Sequence, residues 1–571
     1  MSENGLPVSS CANGKRFEQP RPETAGVKRE KEAQLPRVEA LPWKKITIAL
    51  TLLIIARGIL LLCVLPPFEG WDEYQHIAYI VYIKEQREIP RFGYSTVPQS
   101  MKEMLQQYPH APYDYAQTGD TQGWGTKTYD EFWISEHNDI VKDVDPVPLY
   151  EGQQMPLYYL LALPFWTLFS SVSYLAGIYA LRLINVLLLA AAVFIFLRTL
   201  QTCIDNVTHR LVIGLLVATA PMYLINAARI SCDALAILFG SLTLYFTIAA
   251  LRKNPFRSLA LASSFLALGI LSKATMCMMV PVVLTGIVIC GYQRRVSSPV
   301  KTFAACALIV VVLLGPFYYY HYRAAGGFYR MIEVMTSRVQ GKSNLWIWSQ
   351  ALDVGWTTRF REWLFCRELW CSGWSFIFLP MWMRVIYRFS MYAFWCLAVG
   401  VGLKRGWSKR LPTNHLEYLF RENRDLIVFA SVVLSVVAGL AGFATLSLAN
   451  FGVVAVIPSY FMIAFPAWTV FVYQAALFLG KRSAFWFVHI FLGFYLVSEL
   501  LGTLYLMPTA FTATSWSAQS WTRLIQIHPV FPSPWFIVPT LVVIAGLLIY
   551  LLRILWRSES TISAQAEVSA G

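Results

Sequence analysis

Long apolar runs separated by shorter polar segments make up most of the chain after residue 44. An α-helix needs about 20 apolar residues to cross the hydrocarbon core of a bilayer. The first such run follows Lys45, and eleven others lie near 177–197, 211–228, 233–251, 257–272, 274–292, 302–320, 383–403, 426–447, 453–478, 484–506 and 534–555. A thirteenth segment, 155–169, is shorter and contains Pro164. The pattern predicts an all-α integral membrane protein with about 12 or 13 transmembrane helices.

Composition agrees with this prediction. Of the 571 residues, 56% are hydrophobic and only 14% are charged, and the mean hydropathy is +0.50. A soluble domain cannot bury so much apolar surface. The net charge of +14 fits the cytoplasmic loops of a membrane protein better than a nucleic-acid partner. We therefore expect a membrane partner and no nucleic acid.

The distribution of basic residues predicts which loops are cytoplasmic. The polar tail 1–43 precedes the first span with Lys28, Arg29, Lys31, Arg37, Lys44 and Lys45. With this tail inside, the loop 68–154, which has fifteen acidic and six basic residues, lies outside. If 155–169 stays on the outer surface, the basic clusters near residues 252, 294, 404 and 481 are all cytoplasmic. If it crosses, all four move outside. We therefore place it outside.

These assignments divide the chain into five parts. We predict a disordered cytoplasmic tail (1–43), a transmembrane core (44–330, including the outer loop 68–154), a tryptophan-rich outer loop (331–382), C-terminal transmembrane helices (383–556) and a second cytoplasmic tail (557–571).

An acidic pair follows the first span in the segment PPFEGWDEYQH (66–76). The prolines end the span, and a helix is predicted from about residue 71 to 87. Acids at a helix start complement its dipole, which accounts for one of them. A carboxylate at a membrane exit is also well placed to take a proton from an acceptor hydroxyl. We assign Asp72 as the general base.

Other polar residues fall at the same predicted end of the spans. They are Asp72, Glu73, His76, Gln153, Gln154, Arg182, Arg229, Asp233, Lys273 and Arg323. Ionisable groups near hydrocarbon depth are costly and usually face a polar cavity or a partner. Taken singly, Arg229 and Asp233 fit a structural ion pair, and Arg182 and Lys273 fit side chains that reach lipid headgroups. Their gathering on one face favours a functional site.

Five segments in the first half of the chain carry a family resemblance. They are PPFEGWDEYQH (66–76), QQMPLYYLLALP (153–164), ALRLINVLL (180–188), RISCDALA (229–236) and GILSKAT (269–275). Their order resembles the GT-C superfamily of polytopic membrane glycosyltransferases that use polyprenyl-phosphate-linked sugars, and especially bacterial members of unassigned substrate. Here Met155 replaces the first proline of the usual pair, and glutamines stand at 153 and 154 where many members have histidine.

The resemblance implies transfer of a monosaccharide, with inversion, to a lipid, glycan or protein hydroxyl on the extracytoplasmic face of the plasma (inner) membrane. Asp72 and Glu73 would be catalytic. Lys273, Arg182 and Arg323 would hold the donor phosphodiester, because negative charge grows on the leaving phosphate. The remaining candidates, His76, Gln153, Gln154 and Asp233, would bind acceptor or sugar. Some superfamily members use a divalent metal, and we assign none.

A second hypothesis comes from two charges inside predicted spans, Arg57 and Glu499. Embedded charges of this kind serve proton-coupled carriers. The alternative function is therefore a secondary transporter or a flippase for lipid-linked sugars. Such proteins usually contain two similar halves, and no second copy of the Asp-Glu segment 66–76, of PLYY or of SKAT occurs. The sequence favours the transferase.

Overall fold

The computed structural model describes most of the apolar part of the chain. It covers residues 43–68, 72–91, 94–107, 113–114, 126–127, 149–325, 349, 371–372, 377–408, 423–451, 458–512, 516–527 and 534–570. Except for Trp43, the predicted N-terminal tail lies outside these ranges. Most of the tryptophan-rich loop 331–382 lies outside them as well.

Eighteen α-helices account for most of the described residues. In chain order they are α1 Trp43–Val64, α2 Glu73–Gln86, α3 Gln99–Gln107, α4 Leu157–Ser170, α5 Tyr174–Cys203, α6 Val207–Thr219, α7 Pro221–Ala228, α8 Asp233–Ala250, α9 Pro255–Ser272, α10 Val280–Tyr292, α11 Pro299–Ala325, α12 Met381–Ser408, α13 Arg424–Phe451, α14 Phe465–Leu479, α15 Lys481–Leu501, α16 Met507–Thr512, α17 Ala518–Ile527 and α18 Pro534–Ala570.

Short elements connect some of these helices. Three are 3₁₀ helices, at Tyr150–Gln153, Ala274–Met279 and Pro458–Ile463, and one is a π-helix, at Gly502–Leu506. Four two-residue strands form two antiparallel pairs: β1 Tyr113–Asp114 with β2 Thr126–Lys127, and β3 Cys371–Ser372 with β4 Ile377–Phe378. They do not change the class of the fold.

The predicted all-α membrane fold is confirmed. Among the described residues, nine helices are long and apolar enough to cross a membrane, and three shorter apolar helices accompany them: α4, α6 and α14. Helix also forms within each of the twelve predicted spans. The predicted C-terminal tail is helical, because α18 continues to Ala570.

Two predicted spans are interrupted where proline enters them. The span predicted at 211–228 divides into α6 and α7 at Ala220, because Pro221 has no N–H for a continuous helix. Within the span predicted at 453–478, a 3₁₀ helix starts at Pro458 and α14 follows with Pro466 in its first turn. Proline fits the first turn of a helix better than the middle.

Local hydrogen bonds and close helix packing adapt these helices to the hydrocarbon core of a bilayer. The Ser173 hydroxyl accepts a hydrogen bond from the Ala176 N–H at 3.1 Å and caps α5. Inside α8, Thr243 and Thr247 donate to backbone carbonyls one turn earlier, so their hydroxyls are satisfied without water. A Cβ at Gly58 would overlap Val186. This glycine therefore allows α1 to approach α5 closely.

The transmembrane helices bring charged residues together at two ends. Helix α8 packs against α5 and α9, and its first residue, Asp233, pairs with Lys273 after the end of α9. At the other end of α8, Arg252 pairs with Asp425 at the start of α13. An 18-residue helix separates these ends by about 27 Å. We call the Asp233 end the site end and the Arg252 end the basic end.

Helix α4, the segment predicted to stay on the outer surface, has 14 residues and a length of about 21 Å, short of the ~30 Å hydrocarbon core. Tyr159 near its start and Arg182 in α5 both contact α2 residues at the site end. Helices α4 and α5 therefore form a hairpin with its turn at 171–173, beyond the site end.

Candidate active site

The second residue of the acidic pair, Glu73, is fully buried against Arg182. Arg182 Nε donates to Glu73 Oε1 at 2.8 Å, and Nη2 donates to Oε2 at 2.6 Å. The same guanidinium donates to the carbonyls of Leu65 and Pro66, at 2.5 and 2.6 Å. Arg182 thus binds both ends of the connection from α1 to α2. We call this arrangement the Arg182 clamp.

Asp72 lies inside this clamped connection, immediately before Glu73. Its backbone has φ 55° and ψ 14°, and Phe68 in the same connection has φ 65°. A left-handed conformation costs roughly 1–2 kcal/mol for most residues other than glycine, and Asp and Asn tolerate it better than the others. Such strain persists only where neighbouring contacts fix the backbone, and it often marks functional sites. Phe68 is fully buried, and the Arg182 clamp fixes the backbone on both sides of Asp72.

A second charged group surrounds Asp233 at the start of α8. Asp233 Oδ1 pairs with Lys273 Nζ, and Oδ2 accepts from Arg229 Nη2 at 2.8 Å. Each of the three residues is about 5% exposed. Lys273 occupies the extended break between α9 and the following 3₁₀ helix. Two cations and one carboxylate give this group a net charge of +1.

Hydrogen bonds join the two groups through the segment that connects α7 to α8. The Ile230 N–H donates to Glu73 Oε1 at 2.9 Å. The Asn185 amide, one turn after Arg182, donates to the carbonyl of Arg229 at 2.6 Å. Glu73 and the Lys273 segment therefore belong to one contiguous network.

Glu151 and His76 form another side of the site. His76 Nδ1 lies 2.7 Å from the Tyr159 hydroxyl and 3.8 Å from Glu151 Oε2. Tyr159 stacks on Tyr79 with ring centroids 3.7 Å apart. The His76 and Glu151 side chains are only 6% and 5% exposed. Among the described residues, Glu151 Oε2 has no hydrogen-bond partner.

Burial governs the protonation of these two groups. It raises the pKa of Glu151 to about 8, with the nearby charge of Asp72 as the next cause. It also lowers the pKa of His76 to about 3, with Arg229 as the next cause. At neutral pH the His76–Glu151 contact thus joins an uncharged imidazole to a mostly protonated carboxyl group.

The structure brings together most of the predicted site residues. Two of them, Glu73 and Arg182, have environments that differ from the predicted ones. Glu73 was predicted to be catalytic and Arg182 to bind phosphate, but each is fully buried and engaged by the other. Gln154 is partly exposed, and its side-chain oxygen lies 3.9 Å from Cys232 Sγ. Gln153 ends the short 3₁₀ helix beside it. Arg323 belongs to the last turn of α11, and its side chain lies outside the described residues.

Two important site residues were missed or undervalued in the sequence. The sequence alone assigns no role to Glu151, one of the fifteen acids of the outer loop, although it stands two residues before the QQMPLYY segment. Arg229 was noted but assigned no role, although its spacing of four from Asp233 predicted their ion pair. Proximity to a recognised segment was the available signal for Glu151.

The described residues contain no group of three or more His, Cys, Asp or Glu side chains arranged to hold a metal ion. The carboxylates of Glu73 and Asp233 are engaged by cationic side chains.

Together, the apolar helices and this charged end define a multi-pass membrane protein with a polar site at one end of its helices. Residues 156–320 match the family described as dolichyl-phosphate-mannose-protein mannosyltransferase. The match includes α4, the Arg182 segment and the Asp233–Lys273 pair. It supports the predicted resemblance to the GT-C superfamily and a glycosyltransferase of that type.

Two solved structures are similar to the chain. One is the crystal structure of ArnT from Cupriavidus metallidurans bound to undecaprenyl phosphate, with 11% identity and a TM-score of 0.46 over 91% of this chain and 73% of that one. The other is apo ArnT from the same organism, with 12% identity and a TM-score of 0.32 over 84% and 90% of the two chains. No curated protein matches the chain.

Proposed function

We propose that this protein transfers a monosaccharide from a polyprenyl-phosphate donor to an acceptor hydroxyl on the extracytoplasmic face of the plasma membrane. The observation that carries the proposal is the meeting of the Asp72 turn with the Asp233–Arg229–Lys273 group. A base and a cationic group in one site are what this reaction requires.

Asp72 is the proposed base. The acceptor oxygen attacks the anomeric carbon while its proton passes to the Asp72 carboxylate. The bond from that carbon to the phosphate oxygen breaks, and its electron pair leaves with the polyprenyl phosphate. Attack from the face opposite the phosphate inverts the anomeric configuration in a single displacement.

Lys273 and Arg229 are the proposed stabilisers of the leaving phosphate. Their positive charges opposite one carboxylate favour an anion beside them. Arg182 has a different proposed role from the one in our sequence analysis. Its guanidinium is buried and bonded to Glu73 and to two carbonyls, so both residues of this pair position Asp72. A phosphate contact from Arg323 remains a proposal from sequence.

Glu151, His76 and Gln154 are proposed to shape the sugar or acceptor side of the site, with Gln153 beside them. The uncharged imidazole and mostly protonated carboxyl group present hydrogen-bonding atoms without strong charge, which suits sugar hydroxyls. The acceptor is a lipid, a glycan or a protein hydroxyl, and each presents the same nucleophilic oxygen.

The transporter alternative has lost its motivating observation. Arg57 and Glu499 form a buried ion pair with each other, at 2.6 Å between Nη2 and Oε2. This pairing offers an explanation for both residues that requires no ion transport, which favours the transferase over the transporter.

The test uses purified protein in lipid vesicles with undecaprenyl-phosphate mannose and undecaprenyl-phosphate glucose as probes. Membranes from cells lacking the protein supply the acceptor. We expect sugar-dependent release of undecaprenyl phosphate, at least 100-fold slower in Asp72→Asn, because asparagine tolerates the left-handed backbone but cannot take the proton. Exposed Asp205 at the basic end supplies the matched control, Asp205→Asn. Equal rates in all three proteins would remove Asp72 from its role.

A further inference from the structure

Arg57 of the Arg57–Glu499 pair also donates hydrogen bonds to the backbone at the break between α6 and α7. Arg57, in the middle of α1, donates through Nε to both carboxylate oxygens of Glu499 in α15, at 2.9 and 2.7 Å. Its Nη2 donates to the carbonyl of Thr219 at 2.9 Å, and Nη1 donates to the carbonyl of Ala218. Both carbonyls end α6, just before the break at Ala220. Arg57 is 1% exposed.

This break needs such a donor. In a continuous helix the carbonyls of Ala218 and Thr219 would accept from N–H groups one turn later, but α6 ends and Pro221 starts a new helix. No water is available within a bilayer to satisfy them. The guanidinium supplies donors in a fixed planar geometry, and Glu499 neutralises its charge.

Helix α7 connects this break directly to the active site. It has eight residues and is therefore about 12 Å long. Arg229, which pairs with Asp233, follows its last residue, and the next N–H, of Ile230, binds Glu73. Tyr223 in α7 is fully buried and packs on Phe465 at the start of α14. A shift at the anchored start of α7 would thus move both active-site contacts.

We propose that the Arg57–Glu499 pair is a positioning device that sets α7, and through it Arg229 and Ile230, for sugar transfer. The inference rests on the proposed function. It assigns a role to α1 and α15, which lie outside the segment matched by the family. Helix α15, from the C-terminal part of the chain, thereby contributes to the geometry of a site built by the N-terminal half.

The decisive variant removes both charges together, as Arg57→Met/Glu499→Met. Replacing a buried ion pair by apolar residues of similar size is often neutral or stabilising, whereas removing one partner leaves an uncompensated charge. We expect the double variant to fold, because no uncompensated charge remains, but with a lower thermal midpoint than the parent protein, because the carbonyls of Ala218 and Thr219 lose their donor. We expect kcat to fall at least tenfold with KM for the donor unchanged, since small displacements at a reacting centre are costly.

Hydrogen exchange tests the anchoring of α7 independently of sugar transfer. We expect faster exchange in peptides covering residues 222–232 in the double variant. The matched control is Arg252→Met/Asp425→Met, which removes the ion pair at the basic end and should leave both kcat and that exchange unchanged. Arg57→Lys, which keeps the charge but loses part of the donor geometry, should give intermediate values and replaces the double variant if that one does not fold.

These experiments distinguish failure of the inference from failure of the proposed function. Parental kcat and parental exchange in a folded double variant, or in Arg57→Lys if the double variant does not fold, would overturn the inference while leaving the transferase intact. If the unmodified protein transfers no sugar, the proposed function fails, and the exchange experiment still decides whether the pair anchors α7.

Discussion

Arg182 and Glu73 lie 109 positions apart in the chain and form a fully buried, two-point ion pair. Through its two carbonyl contacts, the same guanidinium holds the connection that carries Asp72. An acidic pair that looks like two equivalent carboxylates in the sequence thus has two different environments.

Removing one partner of this pair should destabilise the protein strongly. Glu73→Gln leaves the Arg182 charge buried without its counter-ion, so we expect a loss of about 3–5 kcal/mol in the free energy of unfolding. Thermal unfolding in detergent measures the effect. Glu103→Gln, at an exposed acid of α3, is the control and should be neutral. A neutral Glu73→Gln would contradict the clamp.

Lys273 should act mainly on the chemical step. Lys273→Met removes a cation from the Asp233 group, and loss of one such stabilising group costs about 100- to 1000-fold in kcat. Lys273→Arg should recover part of the rate because it keeps the charge. The comparison is with Lys253→Met, at an exposed lysine of the basic end, which should retain parental kcat. An effect confined to KM would instead indicate a role in donor binding alone.

Glu151 should make stability depend on pH. Its pKa is raised to about 8 in the folded protein, so between about pH 4.5 and 8 the unfolded chain releases this proton while the folded protein keeps it. Its contribution to stability is therefore present at low pH and is lost as the pH rises, by about 1.4 kcal/mol per unit of pKa difference.

The corresponding variant is Glu151→Gln, which cannot ionise. We expect its thermal midpoint to rise relative to the parent protein as the pH increases from 5 to 8. Measurement at several pH values in one detergent separates this trend from a constant offset. A difference that shrank with pH would mean that the folded site prefers the ionised carboxylate.

The hairpin of α4 and α5 allows a test of orientation. Val172 in its turn is 81% exposed. We expect a cysteine placed there, in a variant in which all ten native cysteines are replaced, to react with an impermeant maleimide from outside intact cells. A cysteine at Lys253 should react only after the cells are opened. The reverse pattern would invert the proposed topology.

Hydropathy predicted the helices well because a bilayer imposes nearly the same demand on every span. It could not predict the break at Ala220, since the run 211–228 is apolar on both sides of it, although Pro221 was a visible warning. It also missed the pairing of Arg57 with Glu499. These residues are 442 positions apart, and periodicity along a chain carries no distances between remote segments.

Only part of the candidate site could be predicted, because the sequence carries no distances between remote segments. Side-chain chemistry and the ordered segments predicted that Asp233, Lys273 and the acidic pair lie at one end of the helices, and the structure pairs Asp233 with Lys273 there. The rest of the site depends on which side chains pair with each other. Glu73 pairs with Arg182, 109 positions later in the chain, and His76 contacts Tyr159, 83 positions later. Such choices depend on how α2 and α4 pack, which the pattern of apolar positions does not specify.

The left-handed backbone at Asp72 sets thermal stability against catalysis. Glycine adopts this conformation without strain, so Asp72→Gly should raise the thermal midpoint by relieving about 1 kcal/mol while abolishing sugar transfer. Selection for heat resistance alone would therefore favour loss of the proposed base, and only a screen that also demands activity would retain it.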